Sequence, residues 1–124
     1  MTEMMKALHI FFLKLSIPSY PAGQVPVSAK FPLLTWEAAA GRFGHACAIT
    51  ATAWFDSANA NMLRAVFLDR VLTAVPEAGV KLPLADGFLL MERGSDFLQF
   101  VSDPAHPGLL CGRIRLTLRR YGAT

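Results

Sequence analysis

Residues 109–121, LLCGRIRLTLRRY, alternate along their length. Leu110, Ile114, Leu116 and Leu118 share one side, interrupted by Gly112, while Arg113, Arg115, Thr117 and Arg119 share the other. A period of two is the mark of a strand with one face in a core. The run is long enough to cross a whole sheet, and its arginines form a row of about 20 Å at the usual rise per residue. That row has three readings. It is a solvated sheet face, a contact between subunits in which Arg pairs with Asp or Glu of a neighbouring copy, or a phosphate contact with nucleic acid. The third lacks the exposed aromatics that single-strand binders interleave with their cations.

Upstream, DPAHPG (103–108) reads as a loop. Ser95–Val101 reads as a short helix or a strand. Phe97, Phe100 and Val101 are apolar for a free loop, so the 94–101 segment is either clamped on its own core or an arm anchored in a neighbour's pocket. VKLPLADGFLLMERG (80–94) reads as strand, tight turn, strand, because Asp86-Gly87 supplies the positive φ of a hairpin turn.

The first half carries two helices. Residues 2–16 repeat Met4, Leu8, Phe11/Phe12 and Leu15 at helical spacing, with Thr2 as cap and Glu3 suited to the positive end. Pro18 stops this helix. PSYPAGQVPVSAKFP (18–32) holds four prolines and a glycine and is a loop with at most a short extended piece near Val25–Val27. Phe31–Ala38 and residues 45–55 read as strands joined across AAGRFG, with His45, Cys47, Ile49, Ala51, Ala53 and Phe55 on one face. Asp56 or Ser57 caps a helix over 58–75 whose stripe is Leu63, Val66, Phe67, Val71 and Ala74, widened by Leu68, Leu72 and Val75. Arg64, Asp69 and Arg70 face water, and Pro76 and Gly79 end the helix. The expected fold is therefore one α+β domain spanning residues 1–124, a mainly antiparallel sheet with two helices packed on one face.

Composition narrows the function. The chain has 124 residues, 53% of them hydrophobic and only 17% charged, with a mean hydropathy of +0.38. No run approaches the roughly 20 apolar residues of a membrane span, and the N-terminal stretch makes a poor signal peptide because Glu3 and Lys14 flank its apolar part and no small-residue cleavage site follows. An apolar surface covered by partner chains accounts for the composition instead. The net charge of +3 is too small to imply nucleic-acid binding without a cluster. Cys47 and Cys111 fit no metal-ligand spacing and read as reduced thiols. His9, His45 and His106 are scattered, so no metal site is expected. His45 and Cys47 share a strand face, which admits a thiol–imidazole pair but equally describes any packed strand. No glycine motif, paired carboxylate or other constellation points to catalysis or to a cofactor.

The order of segments resembles a known family. FPLLTWE (31–37), a β run ending WFDS, a helix, LPLADGFLLMERGSDFLQFVSDP (82–104) and a last strand ending RLTLRRYG are similar to the tail-terminator or tail-completion neck proteins of long-tailed bacteriophages. Phe31-Pro32, Leu82-Pro83-Leu84, Arg93-Gly94-Ser95 with Phe97 and Gln99, and Asp103-Pro104 carry the likeness, which covers nearly the whole chain. The resemblance implies a virion protein without cofactor, metal or catalysis, assembled in the host cytoplasm as a ring, usually of six copies. Such a ring caps the tail tube, ends its polymerisation and meets the head connector or stopper protein, while DNA passes through the lumen without specific binding. Phe97, Gln99, Phe100, Arg113, Arg115 and Arg119 are the expected interface residues. A head-completion protein, a ferredoxin-like regulatory domain that binds a small ligand, and a thiol enzyme using Cys47 and His45 remain as alternatives.

Overall fold

The computed structural model describes residues 3–40, 46–56, 60–102 and 108–122. Helix α1 (Glu3–Leu13) is followed by strands β1 (Ser19–Pro21), β2 (Leu33–Ala40) and β3 (Ala46–Asp56). Helix α2 (Ala60–Ala74) leads to β4 (Val80–Leu84), β5 (Gly87–Ser102) and β6 (Leu109–Gly122). The expected α+β domain is what forms. Its single six-stranded sheet has the order β1-β2-β3-β6-β5-β4, antiparallel except where β1 runs parallel to β2.

Alternation decides which side of the sheet is buried. Ile49, Ala51, Ala53 and Phe55 of β3 lie beside Leu116, Ile114, Gly112 and Leu110 of β6, and Met91 of β5 lies beside Leu118. Ile49, Ala51, Ala53, Phe55, Ile114, Leu116 and Leu118 are all buried. They form one cluster with Leu8, Phe11, Phe12 and Leu15 of the α1 segment and Phe67, Val71 and Val75 of the α2 segment. Phe12 stacks on Trp36 at 5.6 Å, and Phe67 meets Phe55 edge-on at 5.6 Å. Such aromatic pairs add specificity to the area they bury. Ala51 and Ala53 are fully buried in the same cluster.

Several local expectations are corrected. The extended piece in the proline-rich loop is Ser19–Pro21, not Val25–Val27; Val27 is fully exposed. Of the two readings of Ser95–Val101, the strand is the one that forms: it lies in the second half of β5, paired with β6 from Leu98 onward, and is not a free arm. The stripe of α2 is narrower than its sequence suggests: Phe67, Val71 and Val75 are buried, whereas Val66 and Leu72 are each 41% exposed. Arg64 does not simply face water, since its guanidinium lies 5.2 Å from the centre of the Phe100 ring. The Asp86-Gly87 hairpin forms as expected, with Leu84 opposite Gly87. Only glycine fits there, because a Cβ on residue 87 would sit 2.0 Å from the Tyr121 carbonyl oxygen. Thr2, Ser57, His45, His106 and Asp103-Pro104 lie outside the described residues. Among the described residues no helix is long and apolar enough to cross a membrane.

Candidate subunit interface

The sheet face opposite the core is built by the other half of each alternation. Arg113 lies opposite Thr52, Arg115 opposite Thr50, Thr117 opposite Ala48 and Arg119 opposite Ala46. Thr52 and Thr50 are in turn opposite Thr35 and Glu37 of β2. Short threonine and alanine side chains therefore flank the arginine row on its β3 side. On the β5 side Gln99 pairs with Arg113 in register, and the Arg115 guanidinium donates to Gln99 Oε1 at 3.4 Å. Arg115 also lies 3.5 Å from Asp96, a pair with side chains 39% and 67% exposed. At that exposure water screens the attraction, and the contact orients Arg115 more than it stabilises the fold.

Asp96 reaches Arg115 because β5 is irregular. Arg93 pairs with Leu116 and Leu98 with Ile114, so four residues of β5 face a single residue of β6. This bulge puts Asp96 at φ 52°, a left-handed conformation that Asp tolerates better than most residues. Gly94 sits where the strands come closest; a Cβ there would lie 3.1 Å from the Arg115 carbonyl oxygen. Beyond the bulge, Phe97 and Phe100 are half-buried and pack against the core cluster. Each ring carries a cation, Arg93 at 4.8 Å from Phe97 and Arg64 at 5.2 Å from Phe100.

The six expected residues are thus divided. Gln99, Arg113, Arg115 and Arg119 come together on the open face, whereas Phe97 and Phe100 belong to the side that packs on the core. Asp96, Thr50 and Thr52 complete the open face and were not among the expected interface residues. Threonines alternating with alanines in residues 48–52 carried the signal for the last two. At one end of the same face a shallow groove of about 320 Å³ is lined by Val25, Ala29, Phe31, Leu33, Trp54 and Leu109. Trp54 Nε1 donates to Thr35 Oγ1 at 3.2 Å beside it. Apolar floor, threonine hydroxyls and a guanidinium row suit contact with a protein surface that brings carboxylates.

The thiol reading gains no support from its surroundings. Burial raises the pKa of Cys47, which keeps the thiol protonated, the reverse of what an activated nucleophile needs. No cluster of His, Cys, Asp and Glu among the described residues could hold a metal ion. No protein-family model matches this chain, and a comparison with curated proteins finds no match.

Proposed function

We propose that this chain is a structural subunit of a bacteriophage neck, a tail terminator that forms a homo-oligomeric ring of about six copies by the family resemblance. The ring caps the tail tube, ends its growth and presents its other side to the head connector or stopper protein. DNA passes through its lumen without specific binding, and the protein resides in the virion after assembly in the host cytoplasm. One observation carries the reading. Of the segments on which the resemblance rests, Leu82-Pro83-Leu84 falls on β4, Arg93-Gly94-Ser95, Phe97 and Gln99 on β5, and the final run with its arginines on β6 beside them. Gln99 and the arginines lie on the threonine-rich open face, which supports reading that face as a contact surface.

The regulatory-domain alternative is less well supported. Ferredoxin-like domains run β-α-β-β-α-β, whereas here the order is α-β-β-β-α-β-β-β. The decisive test is the solution mass by light scattering, across protein concentration and salt, with and without purified tail tubes. A discrete ring, or a monomer that forms one on tubes and stops their elongation, supports a terminator. A ring that ignores tubes but binds head connectors makes the chain a head-completion protein. A stable dimer indifferent to both overturns the neck reading.

A further inference from the structure

Both edges of the sheet are only partly closed. β1 covers Leu34–Trp36 of β2, and β4 covers Gly87–Met91 of β5. Beyond Met91, β5 has no strand on its outer side among the described residues. The covered parts are guarded. β4 carries Lys81 and Pro83, devices that discourage a further strand, while Pro21 ends β1 and limits any further strand to the short stretch before it. The open part, FLQFVS (97–102), has neither proline nor charge.

The main-chain groups on these two edges match. Leu34 N–H donates to the Pro18 carbonyl and Ala22 N–H to the Trp36 carbonyl. A parallel ladder alternates, so the main-chain groups of Ser19 and Pro21 point away from β2. The same alternation, carried through the registers of β2, β3, β6 and β5, turns Gln99 and Val101 toward β6 and leaves Leu98 and Phe100 facing outward. Ser19, Leu34, Ala53, Gly112 and Phe100 form one row across the sheet, and Pro21, Trp36, Ala51, Ile114 and Leu98 form another. β1 runs opposite to β5, because three antiparallel pairings separate β2 from β5.

We propose that copies of this chain join edge to edge, Ser19–Pro21 of one pairing antiparallel with Leu98–Phe100 of the next. A sideways step with no slide along the strands places Ser19, with its N–H and carbonyl outward, opposite Phe100; Pro21 falls opposite Leu98 but adds no bond, because it has no N–H and its carbonyl accepts from Gln24 N–H. Tyr20 then stands opposite Gln99 on the open face. A foreign strand would need only the β5 edge; the agreement of row, direction and outward groups between two edges of one chain singles out a second copy. The contact uses different surfaces on its two sides, so repetition gives a closed ring or an open filament. Closure into a ring rests on the neck reading; the pairing itself does not.

Disulfide trapping tests it. Tyr20→Cys and Gln99→Cys are made separately, each with Cys47→Ser, and mixed under a mild oxidant. Directly opposed residues on neighbouring strands have Cβ atoms about 4.5–5.5 Å apart, close enough for a bridge after small adjustment. The expected result is a covalent dimer from the mixture and none from either variant alone. A dimer from Gln99→Cys alone means two β5 edges meet about a two-fold axis and overturns the proposal, as does the absence of any cross-link at concentrations where wild type is oligomeric. The double variant separates the two hypotheses. A ladder of products ending in one closed species supports the ring, while an unending ladder keeps the edge contact and sinks the ring. A closed ring that ignores tail tubes keeps the edge contact and sinks the terminator.

Discussion

Arg93 ties three parts of the molecule together, and its loss has a size that can be worked out. Helix α2 has no basic residue in its last turn, so its final carbonyls lack a cation from their own sequence. Arg93, on β5, supplies one: its Nε donates to the Val75 carbonyl at 2.8 Å and its Nη2 to the Leu72 carbonyl at 3.5 Å. The same guanidinium lies over the Phe97 ring. A hydrogen bond from a charged donor contributes about 1.5–3 kcal/mol, a cation at a helix C-terminus about 0.3–1 kcal/mol, and an exposed cation–π contact about 0.5–1 kcal/mol. These share one group and do not simply add. Arg93→Met, which keeps the apolar stem, is expected to lose about 3 kcal/mol. Arg93→Lys keeps the charge without the fork and is expected to lose about half of that. In urea unfolding, a slope near about 1.5 kcal/mol/M translates 3 kcal/mol into a midpoint lower by about 2 M. A cycle with Phe97→Ala should show a coupling of about 0.5–1 kcal/mol. The reasoning fails if Arg93→Met lies within about 0.5 kcal/mol of wild type at unchanged slope, or if Lys substitutes without loss.

Phe11→Ala, at a fully buried ring, should cost about 3–5 kcal/mol in the same assay, whereas Phe97→Ala, at a half-buried one, should cost at most about 2 kcal/mol. Under conditions where both remain folded, light scattering should show equal assembled fractions for the two variants, because Phe97 packs on the core side; a smaller fraction for Phe97→Ala alone would return Phe97 to the interface. Gly87→Ala should lose more than the ~1–3 kcal/mol of a strained backbone, because its Cβ also meets the Tyr121 carbonyl, and a thermal midpoint within a degree or two of wild type would contradict the close approach. Burial raises the Cys47 pKa, so its contribution to stability is present below the unfolded thiol value and lost as pH rises through the folded one. Iodoacetamide at pH 8 should alkylate Cys47 more slowly in the folded chain than in urea, and Cys47→Ser should flatten the fall in stability above about pH 9.

The sheet was legible where one residue in two had to be apolar. β3 and β6 show this alternation over their whole length, and each is central, so its pattern reports one core face and one open face. β1 was not legible, because its parallel pairing asks little of its sequence. Pro18 contributes a carbonyl to Leu34, Ala22 contributes an N–H to Trp36, and Pro21 sits where its missing N–H points away from β2. Two prolines that argue against a strand thus occupy positions where an edge strand tolerates them. The stripe of α2 was read too broadly because eight apolar residues in one helix offer more than one face. Only contact with Phe55 and the β6 row selects Phe67 and Val71 over Val66 and Leu72. The division of the six interface residues was hidden by the bulge. A regular strand would set Phe97 and Gln99 on one face, but the extra residues between Arg93 and Leu98 break that count, and Arg93 covers the Phe97 ring on the core side.

The same irregularity bears on how strongly copies can join. An open, apolar strand edge invites uncontrolled pairing, and its danger grows with its length. Here the bulge ends the regular stretch of β5 on one side, while Pro21 ends β1 after three residues. The edge contact is then confined to a few main-chain hydrogen bonds. At roughly 0.5–1.5 kcal/mol each, they are too few to hold two copies together against the ~4–15 kcal/mol of lost translational and rotational freedom. A pair of copies joined only by this edge therefore falls apart at micromolar concentration. A closed ring behaves differently, since its last copy makes two contacts for one loss of freedom and the effective concentration of each neighbour is high. Weak, short edges that are matched across one chain thus favour closure over a stable dimer, and a template that gathers copies around it, such as a tail tube end, would set when closure occurs.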